Sequence, residues 1–252
     1  MSTTYQIAKY NASGNDFVIF HDSKHQDRTE LAKILCDRHA GIGADGLIVC
    51  IPHGEYDFQW QFYNDDGSSA EMCGNGSRAC AHYALAHHLA EENMTYLTLA
   101  GPIKALVNKD IVTTELTPPI IKDEKIEEYG YSWWLIDTGV PHLVTFDADL
   151  ADFDLEMARE LREKYNCNVN IAHLHEEGYI QVRTYERGVE NETLACGTGM
   201  AACYYRAFKE CKVEVETTML PKSGEHLRVG YTGRTLSFKG RVTNTFNTTW
   251  TQ

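Results

Sequence analysis

The sequence predicts a mixed α/β (α+β) protein built from two similar halves. The first observation is a repeated motif, Cys-Gly-x-Gly-x-x-Ala-Cys, which occupies residues 73–80 and again residues 196–203. The two copies begin about half of the 252-residue chain apart, as expected for an internal duplication. The second observation is that a strand-like run precedes each copy and an apolar helical run follows it. Each half should therefore carry one copy of the motif at the start of a helix.

The first half contains alternating and apolar runs that are typical of strands. They predict strands at residues 5–10, 17–20, 47–51, 58–63, 97–99, 103–107 and 111–116. Apolar residues at helical spacing predict helices near residues 29–38 and over residues 79–89. A proline pair and a charged, apolar-poor stretch at residues 122–130 then indicate a domain boundary. The predicted domains are residues 1–117 and 118–239.

The second half repeats this order of elements. Strands are predicted at residues 132–137 and 179–185, a helix at 155–165, and a polar turn at 166–170. The second motif opens a helix that runs through residue 207, and short strands follow within residues 227–250. The tail, residues 240–252, is a candidate for completing the first half.

Composition and charge exclude several classes of protein. A hydrophobic content of 43% and a charged content of 23% are ordinary for a globular protein. The net charge of −13 argues against partners such as nucleic acid or an anionic membrane, because both attract basic surfaces. Residues 1–16 lack the features of a signal peptide, and no apolar run approaches the ~20 residues that span a bilayer. We expect a cytoplasmic protein.

Eight cysteines are present, but their spacing does not indicate a disulfide framework or a metal site. The sequence contains neither a Cys-x2-Cys pair nor a Cys/His tetrad at zinc spacing, so no metal ligands are predicted. Cys80 and Cys203 should face the cores of their helices. The remaining cysteines outside the motifs are expected to be buried small apolar side chains: Cys36, Cys50, Cys167 and Cys211.

The two motif cysteines, Cys73 and Cys196, are candidates for reactive thiols. Glycines immediately before a helix let the backbone approach a ligand and direct free N–H groups at it. A thiol at a helix N-terminus lies in a field that favours the thiolate. By contrast, the glycine-rich loop at residues 41–46 follows a helix and precedes a strand, the reverse of a dinucleotide fingerprint, so phosphate binding there is not favoured.

An ordered set of motifs resembles the diaminopimelate epimerase family. The matching segments are residues 14–17, 41–46, 64–68, 73–76, 138–142, 168–170, 185–188 and 195–199. The resemblance implies two pseudo-symmetric domains, each a mostly antiparallel sheet curled around a central helix, with an active site between them. It also implies cofactor-independent epimerisation of LL-2,6-diaminopimelate to meso-diaminopimelate, in lysine and peptidoglycan-precursor biosynthesis. A homodimer is expected on the same ground.

The resemblance also assigns roles to individual residues. Cys73 and Cys196 would be the acid–base pair, and His142 would support them. Glu186 would have a catalytic role and, with Asn15, would contact the reacting amino group. Backbone N–H groups at Gly74, Asn75, Gly197 and Thr198 would bind the α-carboxylate. The distal end of the substrate would be held by Asn64, Asn170 and Arg187.

Two positions depart from the family pattern and leave the substrate open. Val140 stands where the family often has asparagine, and Gly46 stands where some members have a polar side chain. One alternative is another two-cysteine racemase of the same fold, acting on proline, hydroxyproline or histidine. Asn75 counts against the proline branch, which usually has histidine there. A second alternative is a non-catalytic ligand-binding or thiol-redox protein, although the sequence has no Cys-x-x-Cys motif.

Overall fold

The computed structural model describes residues 3–69 and 71–252, apart from the side chain of Asp152. The chain divides into two compact units. Unit 1 runs to Thr114 and resumes at Gly240, whereas unit 2 spans Glu115–Lys239. The predicted limits of the duplicated domains, 1–117 and 118–239, stay a prediction. In the described part of the chain, no helix is long and apolar enough to cross a membrane.

Strands make up most of the regular structure, and four α-helices lie between them in the described residues. The strands are β1 (Thr4–Ala12), β2 (Asn15–His21), β3 (Gly46–Ile51), β4 (Phe58–Asn64), β5 (Asn93–Thr98), β6 (Gly101–Asn108), β7 (Ile111–Glu115), β8 (Ile120–Glu128), β9 (Tyr131–Asp137), β10 (Pro141–Thr145), β11 (Asn168–Leu174), β12 (Ile180–Glu186), β13 (Asn191–Glu192), β14 (Glu216–Pro221), β15 (Leu227–Tyr231), β16 (Leu236–Arg241) and β17 (Thr243–Thr251). The helices are α1 (Thr29–Cys36), α2 (Gly74–Ala86), α3 (Leu155–Tyr165) and α4 (Gly197–Lys209), with a 3-10 turn at Leu150–Asp152.

The strands of unit 1 pair in the order β17-β1-β2-β3-β4-β5-β6-β7. The pairs β2–β3 and β4–β5 are parallel, and the others are antiparallel. Each parallel pair is joined by a helical crossover, α1 for the first and α2 for the second, as parallel strands require. The C-terminal strand β17 pairs with β1, so the end of the chain completes the sheet of unit 1.

Unit 2 has the same series of pairings. Its order is β8-β9-β10-β11-β12-β14-β15-β16, with the short β13 paired to β12. The parallel pairs are β10–β11 and β12–β14, and the crossovers contain α3 and α4. The predicted fold class, two pseudo-symmetric α+β units with mostly antiparallel sheets, is confirmed.

The helix that follows each cysteine motif is the central helix of its unit. In α2 nearly every residue from Gly74 to Ala84 is buried, and in α4 nearly every residue from Gly197 to Ala207 is buried. Each helix packs on strands of its own unit: α2 on β1, β2, β3 and β6, and α4 on β9, β10, β11, β12, β14 and β15. Strand β2 shows how the layers divide: Phe17 and Ile19 pack with α2, whereas Val18 and Phe20 pack with α1. This alternation is the two-residue period of a strand buried on both faces.

The charged stretch that was proposed as a domain boundary, residues 122–130, lies largely in strand β8, whose side chains are mostly exposed. The boundary itself stays a prediction. Two local predictions were wrong. Residues 166–170 were predicted as a turn; only Asn166 has a left-handed conformation, and β11 begins at Asn168. Cys211 was predicted to be buried and is exposed, just beyond the end of α4. The burial predicted for Cys80 and Cys203 is confirmed.

Candidate active site

Cys73 is the N-cap residue of α2 and has extended backbone angles, φ −145° and ψ 115°. Its sulfur accepts a hydrogen bond from the backbone N–H of Gly76 at 3.3 Å. The helix therefore begins within the motif at Gly74, earlier than the start predicted at residue 79. The first N–H groups of the helix have no intrahelical partner and are available to other acceptors. The side chain of Cys73 is half-buried.

Asn15 lies beside Cys73 and presents its carbonyl oxygen. Its Oδ1 is 3.7 Å from the Cys73 sulfur and 3.5 Å from Nδ2 of Asn75. The amide orientation is fixed because Nδ2 of Asn15 donates to the carboxylate of Asp45. Three of the residues predicted from the sequence are thus brought together in unit 1: Asn15, Cys73 and Asn75.

Asp45, which accepts the hydrogen bond from Asn15, belongs to a cluster of four charged side chains. Arg38 forms ion pairs with Asp16 at 2.8 Å and with Asp45 at 2.6 Å, and Lys9 forms one with Asp16 at 2.8 Å. Burial opposes ionisation of Asp16, but the hydrogen bonds from Arg38 and Lys9 prevail and lower its pKa to about 2. Residues 41–46 supply part of this cluster through Asp45, so the glycine-rich loop has a structural role.

Arg78 is a residue that sequence reasoning missed. Its side chain is fully buried in α2, one turn after Cys73. Nη2 donates to Oδ1 of Asn75 and to Oγ of Ser13, both at 2.8 Å, and Nη1 donates to the carbonyl of Arg241 at 3.2 Å. The signal in the sequence was a lone arginine within an apolar helical run. The residue ties the first motif to the loop that precedes Asn15.

Cys196 occupies the corresponding N-cap position of α4, with φ −112° and ψ 110°. Its side chain is buried, and its sulfur is 3.5 Å from the hydroxyl oxygen of Thr198. The carbonyl of Thr198 accepts a hydrogen bond from the hydroxyl of Thr138 at 2.9 Å. Gly197 has no room for a side chain, because a Cβ there would lie 2.9 Å from the ring of Phe238.

His142 lies directly behind Thr198. Its Nε2 is 2.9 Å from the Thr198 hydroxyl oxygen, and its Nδ1 is 3.1 Å from Nδ2 of Asn170. Both His142 and Asn170 are fully buried. Asn170 also donates from Nδ2 to the carbonyl of Leu143 at 3.1 Å and accepts from the hydroxyl of Thr184 at 2.9 Å. Four predicted residues of unit 2 therefore form one connected row: Asn170, His142, Thr198 and Cys196.

The burial of His142 lowers its pKa to about 3, although the nearby carboxylate of Asp137 opposes the shift. The imidazole is consequently neutral at physiological pH. A neutral ring can orient its neighbours by hydrogen bonding, but it does not hold a positive charge that would attract a thiolate.

A pH dependence of stability follows from this shift. The unfolded chain binds a proton at His142 below pH about 6.5, whereas the folded chain stays unprotonated there until about pH 3. Stability is therefore lost as the pH falls through this range. Between pH 7.5 and 5.5 we expect His142 to account for a loss of about 1 kcal/mol. Urea unfolding at both pH values should show this extra loss in the natural protein and not in His142→Gln; equal losses in both would contradict it.

Glu186 and Arg187 lie at the end of β12. Glu186 is half-buried and is paired in the sheet with Asn191. The backbone N–H of Arg187 donates to Oδ1 of Asn168 at 2.7 Å, and its guanidinium donates to the carbonyl of Asn166 at 2.9 Å. Asn168, which was not among the predicted site residues, also approaches Nε2 of His142 at 3.4 Å. Asn168 thus links Arg187 to His142.

Asn64 is half-buried at the end of β4, where it pairs with Gly46 of β3. Its Nδ2 donates to the hydroxyl of Ser68 at 2.9 Å. Gly46 is required by packing, because a Cβ there would lie 2.6 Å from the ring of Phe62 and 2.9 Å from the carbonyl of Tyr63. Any ligand contact at Gly46 would have to come from its backbone. Among residues 3–69 and 71–252, no group of three or more His, Cys, Asp or Glu residues is arranged to hold a metal ion.

The family model described as diaminopimelate epimerase matches residues 7–120 and 134–235. The chain belongs to the diaminopimelate epimerase family. A diaminopimelate epimerase from Nitratiruptor sp. is 61% identical over 243 residues, covering 96% of this chain and 97% of the relative. A diaminopimelate epimerase from Campylobacter lari is 54% identical over 237 residues, covering 93% of this chain and 94% of the relative. The family resemblance inferred from the motifs is confirmed.

Solved structures extend the likeness of fold beyond the diaminopimelate epimerase family. The crystal structure of a probable proline racemase from Agrobacterium radiobacter K84 superposes with a TM-score of 0.77 at 14% sequence identity. The match covers 97% of this chain and 92% of the racemase. At this level of identity the likeness concerns the fold alone.

Proposed function

We propose that this protein catalyses the cofactor-independent epimerisation of LL-2,6-diaminopimelate to meso-diaminopimelate. The observation that carries the proposal is the matched placement of Cys73 and Cys196, each at the N-cap of the buried central helix of its unit. The names of the Nitratiruptor and Campylobacter relatives support the same substrate. As an amino-acid isomerase the protein would act on a small molecule and need no metal or organic cofactor.

The chemistry requires two proton carriers. Inversion at an α-carbon removes a weakly acidic proton from one face and returns one to the opposite face. A single group on one face tends to return the proton that it removed. We propose that Cys73 and Cys196 serve the two faces, one as thiolate base and the other as thiol acid, and that they exchange these roles when the reaction runs in reverse.

The negative charge that develops during proton removal also needs stabilisation. We propose that the N–H groups of residues 74–75 and 197–198, at the starts of α2 and α4, bind the α-carboxylate and spread this charge. Asn15 and Glu186 would contact the reacting amino group. The predicted distal contacts, Asn64, Asn170 and Arg187, remain proposals.

Each of the three proposed distal contacts already has a partner within the protein, and that of Asn64 is the hydroxyl of Ser68. The amide of Asn170 is fully buried and bonded to His142, Leu143 and Thr184. These bonds favour a role for Asn170 behind the site over direct contact with substrate. Arg187 is half-buried, and its guanidinium would have to exchange its bond to the carbonyl of Asn166, the C-cap residue of α3, for a substrate carboxylate.

The setting of the enzyme is proposed on two grounds. We propose a cytoplasmic location from the sequence and, from the family resemblance, a homodimer that acts in lysine and peptidoglycan-precursor biosynthesis. The net charge of −13 is compatible with a protein that binds neither nucleic acid nor an anionic membrane.

The proposal is tested by incubating the protein with LL-diaminopimelate in D2O. We expect meso product that carries one solvent deuterium at the inverted carbon, because the acid that reprotonates it has exchanged with solvent. Proline, hydroxyproline and histidine, incubated in parallel, should not exchange their α-protons for deuterium. If deuterium entered one of these amino acids and no meso-diaminopimelate formed, that amino acid would be the substrate and the proposed one would be wrong.

A further inference from the structure

Four side chains in unit 2 form a row that ends at a proposed catalytic sulfur. Asn170 contacts His142 at 3.1 Å, His142 contacts Thr198 at 2.9 Å, and Thr198 contacts Cys196 at 3.5 Å. Asn170 and His142 are fully buried, so water does not compete for their bonds. Each hydrogen bond in the row therefore has a defined donor and acceptor, and these can be assigned one after another starting from Asn170.

The carbonyl of Leu143 determines which atom donates in each of these hydrogen bonds. A carbonyl oxygen can only accept, so the Asn170 atom 3.1 Å from it must be the amide nitrogen. The hydroxyl of Thr184 donates to Oδ1 on the other side of the same amide. The second N–H of Asn170 then donates to Nδ1 of His142, which must carry the lone pair. In a neutral imidazole the proton consequently lies on Nε2.

The proton on Nε2 determines the orientation of the Thr198 hydroxyl. Because His142 donates to the Thr198 oxygen, the hydroxyl proton of Thr198 is left to point at another acceptor, and the Cys196 sulfur is within reach. Nδ2 of Asn168 also approaches Nε2, at 3.4 Å. Its donation would require the other tautomer, which would place two donors face to face at the shorter distance of 3.1 Å between Asn170 and His142.

The packing of α4 holds the row in place. Gly199 lies against it, and a Cβ at this position would be 2.5 Å from Oδ1 of Asn170 and 3.3 Å from Cε1 of His142. The hydroxyl of Thr138 holds the carbonyl of Thr198 at 2.9 Å. The glycine of the motif is thus what allows the helix start to lie directly on the buried pair.

We propose that Asn170 and His142 are positioning residues that fix the Thr198 hydroxyl as a hydrogen-bond donor to the sulfur of Cys196. A donor at this position stabilises the thiolate over the thiol, so it tunes how readily Cys196 gives up its proton. The proton stays on Thr198, and no bond is made or broken in the row. This inference rests on the proposed function of Cys196 as an acid–base group.

The first test measures the reactivity of Cys196 with iodoacetamide as a function of pH. Initial alkylation of the reduced full-length protein is quantified for each cysteine by peptide mass spectrometry, with the exposed Cys211 as internal reference. Thr198→Val removes the donor, and we expect the apparent pKa of Cys196 to rise by about one unit, so that alkylation below this pKa slows about tenfold relative to Cys211. Thr198→Ser keeps a hydroxyl and should restore the natural profile.

Thr145→Val is the matched control for this experiment. Thr145 is a buried threonine on the same strand as His142, and its hydroxyl donates to the carbonyl of Ser132 and takes no part in the row. In Thr145→Val, the pH profile of Cys196 alkylation should match that of the natural protein. An unchanged profile in Thr198→Val, or the same shift in Thr145→Val, would overturn the proposal while leaving the epimerase activity to be judged by product formation.

The second test addresses the tautomer directly. In protein carrying 15N-labelled histidine, the resonances of His142, assigned by their loss in His142→Gln, should show the proton on Nε2. A proton on Nδ1 would overturn the proposal. In Asn170→Asp the carboxylate accepts a hydrogen bond from Nδ1–H, so this change should reverse the tautomer and raise the pKa of Cys196. In a Thr198→Val background this second effect should largely disappear, whereas a simple charge effect would persist.

Discussion

Replacing either Cys73 or Cys196 with serine is expected to abolish the conversion of LL- to meso-diaminopimelate. General acid–base groups contribute about 10²- to 10⁴-fold to a rate, so we expect kcat to fall by at least that range in each variant. A serine hydroxyl is close in size to the thiol but ionises far less readily. Because each thiol is proposed to serve one face of the α-carbon, the remaining cysteine cannot take over the missing role.

The readout distinguishes loss of inversion from loss of folding or binding. With one thiol left, proton exchange from a single face can continue without change of configuration, so deuterium should enter unreacted substrate after inversion has stopped. Cys211→Ser is the control, because Cys211 is exposed beyond the end of α4. Its rate should equal that of the natural protein. Full inversion by either motif variant would refute the two-thiol mechanism.

The placement of the two motif cysteines could be predicted from sequence because it depends on local chemistry. Glycines flanking a polar residue, followed by an apolar helical run, specify a helix start whose first N–H groups have no intrahelical partner, whatever the remainder of the chain does. The repetition of the motif then predicted two similar units. Local patterns also located β3, which is an apolar run, and β4, which begins with alternating apolar and polar residues.

The role of β11 could not be predicted in this way. Asparagines usually mark turns, and residues 166–170 contain three of them. In the structure only Asn166 adopts the left-handed conformation, with φ 49°, whereas Asn168 and Asn170 are buried in a strand. Their amides are stabilised there by His142 and Arg187, which are distant in sequence. Local propensity therefore predicted a turn where hydrogen bonds between elements stabilise a strand.

The same reason explains why Arg78 was missed. A buried arginine is unfavourable unless its donors are satisfied, and its partners are Ser13, Asn75 and the carbonyl of Arg241. One of these contacts spans 163 residues of sequence. The predicted return of residues 240–252 to the first half does not indicate which helix residue they contact, so the sequence pattern predicts only an ordinary helix-forming arginine at position 78. Several contacts that orient the candidate site join residues far apart in sequence, such as His142 and Thr198.

Substitution of Gly199 by alanine is expected to have the second-largest effect. A Cβ at this position would lie 2.5 Å from Oδ1 of Asn170 and 3.2 Å from the hydroxyl of Thr184. Both neighbours are buried, and the Asn170 amide is held on each side by hydrogen bonds, so they cannot move aside cheaply. We expect a loss of about 1–3 kcal/mol in stability from overpacking. Displacement of His142 and Thr198 should also lower kcat, by about a hundredfold.

Gly76 provides the matched comparison, because it occupies the corresponding position of the first motif. A Cβ there would meet only ordinary contacts, at 3.4 Å from Ile48 and 3.5 Å from the sulfur of Cys73. Alanine also favours the helix over glycine by about 1 kcal/mol, so Gly76→Ala should keep its stability. The repeated motif alone predicts equal effects at the two glycines, whereas the packing predicts a large effect only at Gly199. Thermal unfolding and kcat of both variants decide between them, and equal losses would show that the contacts behind Gly199 do not hold the site in place.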